Sequence, residues 1–184
     1  MKIVCRILLG FFLTGYCLTL SSQGSNNQSL GLQLNPYLDE GFFNRSFIMP
    51  VYALRYSVGI KEHFTLGPEF SGTAFKSKST GSTSNTLRIG GFVRYSLLPE
   101  ARIRPFAELS PYLAYYSWNY NPDGYFVNIE PKGNKSYFSG YIAPGISLYS
   151  KSKKFSVDLL YKFSDRKFIN GKQAVFSYRL NYNF

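Results

Sequence analysis

Several things are scarce in this chain. Histidine occurs once, at His63, tryptophan once, at Trp118, and cysteine only twice, at Cys5 and Cys17. Both cysteines lie in a leader segment expected to be removed, which excludes disulfides and thiol-held metals from the mature protein. Charged residues make up only 17% of the chain, and beyond the leader no apolar run is long enough to span a bilayer as a helix. No cluster of His or Cys suits a transition metal, and no glycine-rich loop leads from a strand into a helix. No cofactor and no metal site are expected.

Aromatic residues are abundant: 17 Phe and 16 Tyr bring the aromatic share to 18%. That is too apolar for a disordered chain. The mean hydropathy is nevertheless slightly negative, at −0.15, so apolar residues must alternate with polar ones. A β-type membrane protein combines these two properties.

Residues 1–24 differ from the rest. Lys2 and Arg6 precede an apolar stretch over 7–20, followed by Ser21, Ser22 and Gly24. A run of about 14 apolar residues is short for a membrane helix and right for a signal peptide. The expected organisation is a cleaved signal peptide over 1–24 and one barrel domain over 25–184, in the outer membrane of a Gram-negative bacterium. The formal charge of +11 falls to +9 once Lys2 and Arg6 leave with the leader. Nucleic acid is not a partner expected of an exported protein. The excess charge fits either a solvated basic surface or attraction to lipopolysaccharide phosphates.

From residue 30 onward, period-two segments dominate. Tyr52, Leu54, Tyr56, Val58 and Ile60 alternate with Ala53, Arg55, Ser57 and Gly59. Phe176, Tyr178, Leu180, Tyr182 and Phe184 alternate with Ser177, Arg179, Asn181 and Asn183. Eight strands are predicted, over 29–38, 47–60, 64–75, 86–98, 103–118, 136–149, 155–164 and 173–184, each long enough to cross a bilayer tilted. Long polar loops at 39–46, 76–85, 119–135 and 165–172 alternate with short turns at 61–63, 99–102 and 150–154. That alternation predicts an all-β, eight-stranded antiparallel up-and-down transmembrane barrel. Pro50, Pro68, Pro105, Pro111 and Pro144 fall inside predicted strands and require strand ends or bulges.

A soluble barrel of lipocalin type would also alternate, with its apolar face turned inward. Two features favour the membrane barrel. Charges of both signs share the polar face with Gly and Ser, as in a packed lumen. Aromatics gather toward segment ends, with Phe64, Tyr95, Phe155, Tyr182 and Phe184 at one side and Tyr115, Phe138 and Phe163 at the other.

The pattern resembles the small eight-stranded outer-membrane barrels of the OmpA/OmpX type over the whole mature chain. Its most specific part is the last strand, where Tyr178, Leu180, Tyr182 and Phe184 look like a C-terminal assembly signal for the barrel-insertion machinery. Such a resemblance of fold carries no function with it.

Some barrels of this size modify lipid A with a Ser and His pair. Here the single His63 sits in a short turn beside Lys61 and Glu62 with no neighbouring nucleophilic serine, so no enzymatic activity is expected. An eight-stranded barrel is just wide enough for side chains to fill. This one would hold Arg55, Glu69, Arg88, Arg94, Glu108, Asp158, Lys162 and Arg179, a plugged lumen. Turn-centred registers place Arg55 opposite Glu69, Arg94 opposite Glu108 and Asp158 opposite Arg179, and bring Arg94 near Glu69, a charge ladder around the wall.

Recognition, if any, is left to the loops. Trp118, Tyr120, Tyr125 and Phe126, near Asp123 and Glu130, either contact a partner or extend the aromatic girdle. Lys76, Lys78, Arg166, Lys167 and Lys172 suit a polyanion. The expected function is a non-enzymatic barrel displaying surface loops in structural, adhesion or envelope-interaction roles. Its expected partners are outer-membrane lipid and lipopolysaccharide, the assembly machinery, and a protein bound through the loops. The alternative is an accessory barrel of a secretion or envelope-assembly apparatus, similar to PorT-like proteins, acting through the basic turns at Lys61 and 151–154.

Overall fold

The computed structural model describes residues 28–34, 46–48, 51–77, 81–120, 132–164 and 174–184. The described strands are β1 (Gln28–Leu34), β2 (Ser46–Ile48), β3 (Val51–Lys61), β4 (Phe64–Ser77), β5 (Thr83–Ser96), β6 (Ile103–Asn119), β7 (Lys132–Tyr149), β8 (Phe155–Ser164) and β9 (Ala174–Asn183). The leader 1–24 and the expected Pro50 position lie outside the described residues.

Strands β2 and β3 pair with the same partner, β4, and together make one stave of the wall. Each stave is antiparallel to the next, β4 pairs with β5, and β1 pairs with β9. The result is a closed eight-stranded up-and-down barrel. Closure pairs each of β1 and β3–β9 on both sides, which removes the raw edges of an open sheet.

Local sequence sets the short turns at one end. Pro99 occupies the second position of a β-turn in which the Ala101 N–H donates to the Leu98 carbonyl at 3.2 Å. Ser150 opens the next, with the Lys153 N–H on its carbonyl at 3.0 Å and Lys153 itself left-handed at φ 57°. The Glu62–His63 turn is tied to its neighbour by Ser96 N–H donating to the His63 carbonyl at 2.8 Å.

Three strand prolines are accommodated by a common device. On the β3 side of β4, the ladder runs from Arg55↔Glu69 to Val58↔Leu66 without the rungs at Gly67 and Pro68. Between β5 and β6 it omits the rungs at Ser110 and Pro111, and between β7 and β8 those at Ala143 and Pro144. On the other side of each proline the pairing continues, as at Pro68↔Gly91, Pro111↔Gly140 and Pro144↔Ala107. A residue with no N–H thus sits where no rung is formed. Glycine makes these gaps passable: a Cβ on Gly67 would lie 1.8 Å from the Tyr56 carbonyl oxygen, and one on Gly90 would lie 2.2 Å from that of Pro111.

The strands are longer at the far end than the apolar alternation predicts. Strand β5 begins at Thr83 and β7 at Lys132, with pairs out to Lys76↔Thr83 and Asn119↔Lys132. The ends of what reads as loop at 76–85 and 119–135 are therefore strand. The apolar alternation is demanded only where one face meets an apolar medium, and Ser, Thr, Asn and Lys pair equally well beyond it.

Candidate functional site: the charged lumen

Parity along each strand separates two environments. On β6, Phe106, Glu108, Ser110, Tyr112 and Ala114 are buried, while Ala107, Leu109, Leu113 and Tyr115 between them are exposed. On β8 the buried row is Ser156, Asp158, Leu160 and Lys162, and on β9 it is Val175, Ser177, Arg179 and Asn181. All eight ionisable residues expected inside, Arg55, Glu69, Arg88, Arg94, Glu108, Asp158, Lys162 and Arg179, are buried. The outward rows carry Leu54, Phe70, Ile89, Leu109, Ile142, Leu159 and Leu180, each more than a third exposed.

The registers place Arg55 opposite Glu69, Arg94 opposite Glu108 and Asp158 opposite Arg179. Their contacts do not form a ladder. Arg55 lies 3.7 Å from Glu69 and makes its close contact across the barrel, with Nη1 at 2.9 Å from both carboxylate oxygens of Glu108. Arg94 faces Thr65 on β4, not Glu69. It bonds Glu108 at 3.0 Å and reaches across to Asp158 at 2.7 Å. Arg179 completes the hub, 3.3 Å from both Glu108 and Asp158. The expected ladder is thus corrected to a hub on Glu108, because long side chains in so narrow a barrel meet across the axis as easily as along the wall.

Glu69 has its own set of partners. Tyr141 donates its hydroxyl proton to Glu69 at 2.8 Å, and the same oxygen lies 2.9 Å from Glu108, which links the two carboxylates. Lys162 stands 3.5 Å from Glu69 on the far wall. Ser147 donates to Asp158 at 2.6 Å. Such shared, charge-assisted bonds satisfy ions that would be costly to bury singly.

Aromatic rings fill the remaining lumen, a feature the alternation of polar and apolar residues does not announce. The Arg55 guanidinium lies over Phe92 at 3.1 Å from the ring centre, Arg94 over Phe106 at 3.8 Å, and the Lys162 ammonium over Tyr141 at 4.0 Å. These are cation–π geometries. The parity of Phe92 and Phe106 with Arg94 and Glu108 was the available signal. Among the described residues one cavity of about 10 Å³ is bounded by Glu69, Arg88, Tyr112 and Tyr141, and another of about 80 Å³ at the turn end is lined by Lys61, Arg94, Arg104 and Asn181 among others. The first has room for roughly one water molecule.

The other expected site residues are scattered. His63 donates its Nδ1–H to the Ser96 carbonyl at 2.6 Å and stacks on Tyr95. No nucleophile and base are brought together there. Trp118 is not on an outward row. Trp118 continues the inward parity of β6, stacked on Tyr116 at 5.3 Å and lying over Gly133, and Tyr120, exposed just past the strand, shares a hydroxyl contact with Tyr116. Lys76 is an exposed strand residue. Tyr125, Phe126, Asp123, Glu130, Lys78, Arg166, Lys167 and Lys172 lie outside the described residues. Tyr178, Leu180, Tyr182 and Phe184 share the outward row of β9 and its end, with Tyr182 packed edge-on to Phe184.

No protein-family model matches this chain, and no curated protein matches it. Among solved structures it is similar to the N-terminal barrel domain of Pseudomonas aeruginosa OprF, at 13% identity and a TM-score of 0.49, covering 88% of this chain and 100% of that one. It is similar also to Ail, the attachment invasion locus protein of Yersinia pestis, at 12% identity and a TM-score of 0.46, covering 86% and 97%. Its own geometry, a closed eight-stranded wall with charges inside and an apolar exterior, is the architecture of the small outer-membrane barrels.

Proposed function

We propose that this protein is an exported, non-enzymatic barrel of the Gram-negative outer membrane, with a plugged polar lumen and loops displayed at the cell surface in structural, adhesion or envelope-interaction roles. One observation carries the reading: the polarity of the wall is inverted relative to a water-soluble barrel. Glu108, Asp158, Lys162 and Arg179 are 2% exposed or less, while Phe138, Ile142, Ile103 and Phe155 are 59% or more exposed. Only an apolar surrounding makes that distribution favourable.

The hub supports the plug. Three arginines and two carboxylates cross the axis with cation–π contacts above and below. The outward row of Tyr178, Leu180, Tyr182 and Phe184 supports an assembly signal, and the basic-then-apolar stretch over 1–24 supports export. Fractionation with outer membranes and a mobility difference between unboiled and boiled samples on detergent gels are expected. Recovery as a soluble protein would overturn the membrane reading. In planar bilayers the native protein should conduct no more than a trace of ion current, and a steady open pore would overturn the plug alone.

A further inference from the structure

The side of the barrel that carries the short turns holds a charge asymmetry the function above leaves unused. Lys61, Arg102, Arg104, Lys151, Lys153 and Lys154 stand there against Glu62 and Glu100. The turns at 97–102 and 150–154 are joined: the Tyr149 N–H donates to the Arg102 carbonyl at 2.8 Å, and the Lys153 ammonium donates to Glu100 at 3.0 Å. Glu100 is thereby committed to Lys153. Arg102, Lys151 and Lys154 are exposed and have no acidic partner among the described residues.

A second observation says what these cations face. Leu97 and Leu98 lie in the turn itself, past the end of β5, and are 57% and 55% exposed; Ile103, the first residue of β6, is 59% exposed. Phe155, Tyr182 and Phe184 continue the apolar rim nearby. Exposed leucines in a turn, with Arg102 four residues after Leu98 and Lys151 and Lys154 on the turn joined to it, match the two layers of a lipid interface. The leucines suit glycerol and upper acyl-chain depth, and the cations suit the phosphate plane just beyond, with lysine stems spanning the difference. An acidic protein patch would match the cations but not an outward apolar rim.

We propose that Arg102, Lys151 and Lys154, beside Leu97 and Leu98, form a docking site for the phosphates of anionic glycerophospholipids in the leaflet that faces the short turns. The site rests on the membrane reading above, and its test separates the two. The full mature chain is folded into vesicles of phosphatidylcholine and into vesicles of phosphatidylcholine with an equal share of phosphatidylglycerol. Preference for spin-labelled phosphatidylglycerol over spin-labelled phosphatidylcholine is then read by electron paramagnetic resonance. The triple variant Arg102→Gln, Lys151→Gln, Lys154→Gln is compared with a control at the other end, Lys132→Gln, Lys135→Gln, both checked as folded by gel mobility.

The native chain should retain phosphatidylglycerol preferentially at low salt, and the preference should fall by about fivefold for each turn-side cation removed. It should fade as salt shortens the screening length. Equal preference in the native chain and the triple variant overturns the site, as does an equal loss in the control, which would mark a general charge effect. Failure of the native chain to enter either kind of vesicle overturns the membrane reading instead.

Discussion

The two faces of a single strand are held by different physics. On β6, Glu108 is tied to Arg55, Arg94 and Arg179 and is sealed from solvent, while Leu109, one residue on, faces outward between Val93 and Ile142 and is 56% exposed. The inward face is a many-body polar structure in which each ion depends on several others. The outward face is a set of nearly independent apolar side chains that ask only for an apolar surrounding. Inside, therefore, the identity of a residue matters; outside, its hydrophobicity does.

Removing the hub carboxylate should break that contrast most severely. Glu108→Ala leaves three buried arginines without their shared partner and should cost about 3–5 kcal/mol, less where water enters the lumen. The urea midpoint of the folded band in lipid vesicles measures it. A charge on the other face should come next: Leu109→Lys should cost about 2–4 kcal/mol in the same assay, while Leu109→Ile should be nearly silent.

Cross-barrel coupling sharpens the comparison further. In double-mutant cycles, Arg55→Met with Glu108→Gln should show a coupling of about 1–3 kcal/mol, larger than Arg55→Met with Glu69→Gln, since Arg55 bonds Glu108 and only approaches Glu69. Equal couplings would restore the simple wall ladder. Gly90→Ala, whose new methyl meets the Pro111 carbonyl, should cost about 1–3 kcal/mol through overpacking. Gly72→Ala, with its nearest contact at 3.3 Å, should cost less.

The smallest effect belongs to the solvated turn. The hydrogen bond from Lys153, and then its charge, hold the Glu100 carboxyl below its ordinary range. A depressed carboxylate contributes stability that is present above its unfolded pKa and lost as pH falls through the folded one. Glu100→Gln should therefore be slightly less stable than the native chain at neutral pH, and the two should converge in acid. A constant gap across that titration would remove the ion pair from the account. Exposed pairs of this kind contribute little.

How much of this was legible in the sequence follows from what period two can carry. It assigns faces, so the interior position of Arg55, Glu69, Arg94, Glu108, Asp158 and Arg179 and the registers across three turns could be read from residue order. It knows only neighbours along the wall, so the cross-axis bonds of Arg55 to Glu108 and Arg94 to Asp158 could not. It also searches for apolar alternation, which hides Phe92 and Leu160 on the inward rows and the polar extensions of β5 and β7.

The seam between β1 and β9 has a consequence for how such a chain comes to be closed. Every other junction of the wall joins strands that follow one another in sequence, whereas Ser29 pairs with Asn183, and the Phe184 N–H donates to the Gln28 carbonyl at 2.9 Å. The hairpins can zip locally, each closing a short loop at little entropic cost. The seam alone is long-range, and its cost falls on a single event. Until β9 arrives, the growing wall is an open sheet with two unpaired edges and an ion hub that lacks one of its three arginines. Arg179, carried by β9, brings the last cation to Glu108 and Asp158 in the same step that joins the edges, so closing the wall and locking the lumen are one cooperative transition.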